Sequence, residues 1–193
     1  MLNIKNIDLY NGKLKILDNA SLQLGNEPYV LIGKNGTGKS TLFKFLANIK
    51  KGKNGYLNLK ESIFYLPEKV LLPKSIKVNK LLEFYIGLTD SLESGEFWLR
   101  RYKVDGNKEI RKLSKGMLQK VGIILSLIDN SKIILYDEPF EGLDNESIKQ
   151  FISDIKEVHK DKTVIIAIHE LSNKIRLSFK KIEIEDYKLC LNN

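Results

Sequence analysis

Residues 33–41 read Gly33-Lys34-Asn35-Gly36-Thr37-Gly38-Lys39-Ser40-Thr41. The apolar run Tyr29-Val30-Leu31-Ile32 precedes them, and Leu42-Phe43-Lys44-Phe45-Leu46, spaced like a helix, follows. The pattern G-x-x-x-x-G-K-[ST] therefore stands between a strand and a helix, the setting its chemistry requires. Gly33, Gly36 and Gly38 let successive backbone N–H groups converge on a phosphate where a Cβ would obstruct the approach. The helix that begins there turns its unpaired N–H groups and positive dipole end to the same anion. Lys39 is placed to reach the β and γ phosphates of a nucleoside triphosphate, and the Ser40 hydroxyl is a natural Mg²⁺ ligand. Asn35, Thr37 and Thr41 belong to the same nucleotide-binding stretch. The bland alternative, a glycine turn that merely caps a helix, does not account for the strand, the lysine and the hydroxyl together.

The totals bound the rest. A chain of 193 residues with 42% hydrophobic and 29% charged side chains has the composition of a soluble globular domain with an ample core. Its longest apolar runs are too short to cross a bilayer. The alternating start Met1-Leu2-Asn3-Ile4-Lys5-Asn6-Ile7 reads as a strand, not as a signal peptide. One cysteine, Cys190, permits no internal disulfide and suits a reducing compartment, so a cytoplasmic location is expected. The formal net charge of +8 raises nucleic acid or an anionic membrane as partners. The lysines are scattered along the chain, however, and a solvated surface is the simpler reading.

Along the chain, residues 2–9 read as a strand, 10–13 as a turn, and 14–17 and 21–24 as further short strands, an antiparallel β sub-sheet at the N-terminus. The helix after the phosphate loop is expected to stop at the glycines near 51–55. Short strands are expected at 56–58 and 63–65. Helical spacing follows at Val78, Leu81, Leu82, Tyr85 and Ile86, again at 97–102, and in a longer helix over 116–128. Residues 74–128 thus read as an inserted α-helical lobe. Alternation resumes with strand 132–136, helix 146–159 with Asn145 as its N-cap, and strand 163–168, whose unbroken apolar run suits a parallel strand covered on both faces. A hairpin, 181–184 with 188–191, closes the chain. The fold class is α/β: a P-loop NTPase with a mixed, largely parallel central sheet, in which 1–73 and 129–193 form the nucleotide-binding core. His159, in a charged helix, reads as surface, and Trp98 as core or partner-facing.

A second constellation is Ile133-Ile134-Leu135-Tyr136-Asp137-Glu138-Pro139, an apolar strand ending in two acids. Beside a phosphate loop, Asp137 can hold the Mg²⁺ shell and Glu138 can orient or deprotonate an attacking water.

The order of segments, phosphate loop, Leu113-Ser114-Lys115-Gly116-Met117, Leu135-Tyr136-Asp137-Glu138-Pro139, Glu141-Gly142-Leu143-Asp144 and His169, resembles an ATP-binding cassette (ABC) ATPase over nearly the whole chain. The resemblance implies two cassettes dimerising head to tail, each ATP held between one partner's phosphate loop and the other's signature segment. Ser114 and Gly116 would then reach the γ-phosphate on the opposite subunit, at a helix start that attracts anions. Glu141 to Asp144 matches the loop coupling the two sites, His169 the switch histidine near the γ-phosphate, and Tyr10 the aromatic on which adenine stacks. Tyr10 reads equally well as an ordinary β-turn aromatic. Two departures stand out. Lys115 and Met117 replace the first glycine and the glutamine of the usual signature, and Glu68 replaces the glutamine that links core and lobe. Glu68 can accept from water or bind Mg²⁺, but a turn acid without a role is nearly as good a reading.

The implied function is an Mg²⁺-dependent ATPase subunit of a transporter, working with a second cassette (identical or not) and with separate integral membrane permease subunits, peripheral to the inner face of the membrane. Export is weakly favoured by analogy alone. The alternative is an ABC-type ATPase acting on nucleic acid or ribosomes, for which the chain offers neither heptads nor a second phosphate loop. Nucleic acid is accordingly not expected as a partner. A GTPase would need an Asn-Lys-x-Asp segment, which is missing, and a small kinase would lack the 113–117 signature.

Overall fold

The computed structural model describes residues 2–58, 61–89, 94–169 and 179–192. The chain forms two compact units, Met1–Pro67 with Ser131–Glu138 and His159–Asn193, and Glu68–Asn130 with Pro139–Val158.

In the first unit, β1 (Leu2–Asn11) pairs antiparallel with β2 (Leu14–Leu24) on one side and with β4 (Asn54–Asn58) on the other. The two short strands expected at 14–17 and 21–24 are one strand of 11 residues. The break in alternation is absorbed by irregular pairing near Ile7, where Asn6 (φ 53°) and Asn19 (φ 45°) take the left-handed conformation that asparagine tolerates. Their N–H groups are satisfied by side chains, Asn6 donating to Ser21 Oγ at 3.0 Å and Asn19 to Asp8 Oδ1 at 2.7 Å. Tyr10 lies within β1, ahead of the turn.

The larger sheet has the order β5 (Ile63–Leu66), β6 (Ile133–Asp137), β7 (Thr163–Ile168), β3 (Pro28–Ile32), β8 (Lys180–Glu185), β9 (Lys188–Asn192). Its first five strands are parallel, and β8 and β9 form an antiparallel hairpin. β6 and β7 are buried along their whole length, as their unbroken apolar sequence requires. Helix α1 (Lys39–Leu46) is shorter than expected. Asn48 (φ 57°) ends it, its N–H bonding Phe45 O at 3.0 Å while the Ile49 N–H bonds Lys44 O at 2.8 Å, the paired closure of a Schellman motif. Gly55 is not that stop. It lies inside β4 at φ 86°, where an added Cβ would come within 2.3 Å of Asn6 O, so only glycine lets β4 approach β1. Leu2, Leu17 and Leu24 from the small sheet, Phe43 from α1, and Leu135 and Ile165 from the large one share one core. Burial of each such side chain is worth about 2 kcal/mol. His159 follows the last helical residue and is 1% exposed, with its Nε2 3.3 Å from the Tyr136 hydroxyl. It is a core histidine, not a surface one.

The second unit is helical: α2 (Val78–Thr89), α3 (Gly95–Arg101), a 3-10 turn (Ile110–Lys112), α4 (Lys115–Ile128) and α5 (Asn145–Val158). It reaches beyond the 74–128 lobe because α5 groups with it. Asp154 of α5, 1% exposed, accepts from Arg101 Nε at 2.9 Å, the Tyr102 hydroxyl at 2.8 Å and Gln150 Nε2 at 2.9 Å. The N-cap of α5 is Asp144, whose Oδ1 accepts from the Ser147 N–H at 2.7 Å, and not Asn145. That bond holds the Asp144 carboxyl down at about 2. Trp98 is buried, in edge-to-face contact with the exposed Phe97.

Candidate functional site

Parallel pairing collects the candidate residues of the first unit at one sheet edge. β7 lies between β6 and β3, with Ile32 level with Ile168 and Asp137 level with Ala167. The phosphate loop, Glu138 and His169 therefore all leave the carboxyl ends of adjacent strands, where open α/β sheets bind ligands. Gly36 (φ 81°) and Gly38 (φ 103°) supply the left-handed turns of the loop. α1 starts at Lys39 without a side-chain cap, so its first N–H groups stay directed into the loop. An added Cβ at Gly38 would fall 2.1 Å from Ile16 Cγ2, which fixes glycine there.

Lys39 is 5% exposed. Its Nζ donates to Gly33 O at 2.6 Å and lies 3.5 Å from Glu138 Oε1, which in turn lies 3.3 Å from His169 Nε2. Glu138 holds this position because the chain turns left-handed there (φ 49°) and its N–H donates to Ala167 O at 3.0 Å. Burial pushes its carboxyl above the usual range, opposed by the charges of His169 and Lys39. A half-buried carboxylate of raised basicity beside a cation is suited to accept a proton from a water next to a phosphate.

Asp137 is 2% exposed and accepts from the Tyr65 hydroxyl through Oδ2 at 3.1 Å. Its Oδ1 is buried without a hydrogen-bond partner among the described residues. An orphaned carboxylate oxygen of this kind fits a hard cation. With the Ser40 hydroxyl and substrate phosphates, this one carboxylate is the kind of donor set that Mg²⁺ takes. Tyr65 was missed by sequence reasoning, since its partner depends on β5 pairing with β6. Tyr10 carries the Lys53 ammonium 4.4 Å from its ring centroid and Lys15 at 5.9 Å, so a base stacking on the face that Lys53 holds would displace that lysine.

The other candidates lie in the second unit. Ser114 caps α4, its Oγ accepting from the Met117 N–H at 3.2 Å, which leaves its own O–H free to donate. Lys115 forms an ion pair with Glu141, so its charge is matched within the chain. An added Cβ at Gly116 would meet Gly142 O at 2.3 Å, a close approach that joins the signature segment to the loop at 141–144. Glu68 is exposed and lines a cavity of about 430 Å³ with Lys115, Leu118, Gln119 and Glu141.

A glycine-rich anion loop at the carboxyl end of a parallel strand, with Lys39, Glu138 and His169 converging on one point, defines a P-loop nucleotide-binding protein. Residues 17–141 match the ABC transporter family, and the chain belongs to it. An uncharacterized ABC transporter ATP-binding protein of Methanocaldococcus jannaschii is 35% identical over 91% of this chain and 71% of its own length. The zinc import ATP-binding protein ZnuC of Wigglesworthia glossinidia brevipalpis is 29% identical over 100% of this chain and 83% of its own. The lantibiotic transport ATP-binding protein SrtF of Streptococcus pyogenes is 30% identical over 89% and 81%. Among solved structures, a dimeric ATP-binding cassette in a post-hydrolysis state with ADP and Pi shares the fold at a TM-score of 0.82 and 22% identity, over 98% of this chain and 96% of that one. No helix among the described residues is long and apolar enough to cross a membrane.

Proposed function

We propose that the chain is the ATP-binding and ATP-hydrolysing subunit of an ABC transporter, acting with a second cassette and with separate permease subunits in the membrane. The observation that carries this is the meeting of Lys39 Nζ, Glu138 Oε1 and His169 Nε2, with successive separations of 3.5 and 3.3 Å, at the edge that carries the phosphate loop.

Backbone N–H groups of residues 33–41 and the start of α1 bind the β and γ phosphates, and Lys39 neutralises their charge. Mg²⁺, for which Ser40 and Asp137 are fitting ligands, would supply further charge neutralisation when bound. Glu138 orients the attacking water and takes its proton. His169 faces the same carboxylate oxygen and is suited to hold the γ-phosphate against that water. Ser114, through its free O–H, and Gly116 are assigned to the nucleotide of the partner cassette, and closure of the pair is the motion passed to the permease. Tyr10 as the adenine platform and Glu68 as a water or metal ligand belong to the same proposal.

The test is nucleotide binding by Lys39→Ala, followed by calorimetry. Loss of a buried charge-assisted contact predicts an affinity lower by about a hundredfold. ATP affinity equal to that of the wild type would remove the assignment of the loop.

A further inference from the structure

The positive charge that looks scattered in the sequence is concentrated by the fold. In the second unit, segments 74–78 and 108–111 run side by side. The Val78 N–H donates to Lys108 O at 3.0 Å, the Ile110 N–H to Ile76 O at 3.0 Å and the Arg111 N–H to Lys74 O at 3.1 Å, with Lys77 and Glu109 as bridge partners. Lys74, Lys77, Lys108, Arg111 and Lys112 are all exposed. The one carboxylate within these two segments is Glu109, which Arg111 Nε approaches to 2.6 Å and Lys112 Nζ to 3.7 Å. Residues 74–77 and 108–112, nine in all, therefore carry a surplus of four, half the net charge of the chain. Three residues before Lys74, Leu71 is 78% exposed, the largest value among the large apolar side chains of the described residues.

Each feature selects among anionic partners. The strip has no aromatic side chain on which a base could stack, which argues against single-stranded nucleic acid. An exposed leucine a few residues along the chain from exposed lysines is a combination found at membrane interfaces, where the apolar group enters the headgroup layer and the ammonium groups stay at its surface. We infer that the strip Lys74, Lys77, Lys108, Arg111 and Lys112, with Leu71, docks the subunit on the anionic headgroups of a lipid bilayer. The choice of a membrane over other polyanions rests in part on the transporter reading. The contact would hold the subunit at the membrane surface independently of a permease and in a salt-dependent manner.

Flotation of the purified chain with phosphatidylcholine vesicles, with and without phosphatidylglycerol, at low and high salt, tests this. The wild type should float with the anionic vesicles at low salt and not with neutral ones. At about fivefold per basic side chain, Lys74→Gln/Arg111→Gln/Lys112→Gln should lower partitioning about a hundredfold. Lys13→Gln/Lys149→Gln/Lys160→Gln, an equal loss of charge at exposed positions elsewhere, should have a much smaller effect. Equal losses in the two variants, equal binding to both kinds of vesicle, or no flotation at all would each overturn the inference. So would a preference for single-stranded RNA over vesicles that disappears with the strip. Circular dichroism checks the folding of the variants, and the comparison of vesicles by the wild type depends on no variant. ATP affinity of the wild type, measured in parallel, separates the two readings: absent flotation with intact ATP binding sinks the docking surface alone.

Discussion

Glu138 is pulled two ways: burial and Asp137 raise its pKa, while His169 and Lys39 lower it. The net direction is upward from an ordinary value of 4.5. Catalysis as a base needs the ionised form, so the acid limb of the ATPase profile should lie above 4.5 and fall away as the pH drops through the raised value. His169→Ala removes one of the two lowering influences and should move that limb to higher pH, read from kcat/KM against pH on the residual activity. A limb that stays in place would detach His169 from the carboxylate. Lys39, Asp137 and Glu138 could be proposed from sequence because phosphate chemistry asks for their types at the ends of parallel strands, and His169 because the order of segments resembles the family's. Tyr65 was not, because nothing in Ile63-Phe64-Tyr65-Leu66 says which strand lies alongside. Lys115 shows the reverse case. In the sequence it stands out as a departure from the usual signature, and the fold pairs its charge with Glu141.

The start of α4 joins a cap to a close backbone approach, and the two can be separated. Ser114→Ala should cost about 1 kcal/mol in chemical denaturation through the lost cap. Ser114→Asn restores a capping oxygen, so it should recover stability while leaving ATP turnover impaired if the hydroxyl itself meets phosphate. Full activity in Ser114→Asn would reduce the residue to a helix cap. Gly116→Ala places a methyl 2.3 Å from Gly142 O, and the forced shift should cost about 1–3 kcal/mol, read as a lowered denaturation midpoint. Elements were legible where periodicity was strong, as in β6, β7 and α4. Boundaries were hidden where local hydrogen bonds decide them: asparagines at 6 and 19 carry β2 through its irregularity, a Schellman closure ends α1 early, and Asp144 takes the capping place from its neighbour Asn145.

For the molecule as a whole, the cassette reading makes assembly depend on unhydrolysed ATP. Glu138→Gln should bind ATP, turn over at least about a hundredfold more slowly, and accumulate as an ATP-dependent dimer in light scattering. Near-normal turnover would place the base elsewhere, and a persistent monomer would remove the shared site. The class of fold could be read from the order of its motifs, whereas α5 joins the helical unit through contacts that no spacing announces, the buried Asp154 with Arg101 and Tyr102 among them. The distribution of charge was likewise invisible until segments thirty residues apart in sequence lay side by side. The bonds of Lys39 carry a consequence for affinity. Its ammonium already serves Gly33 O, Lys34 O and the Glu138 carboxylate, so an arriving triphosphate is a competitor and must take over contacts the chain makes for itself. What a titration measures is then an exchange, and blunting a rival, as Glu138→Gln does, should tighten the grip on nucleotide for reasons that have nothing to do with the rate of hydrolysis.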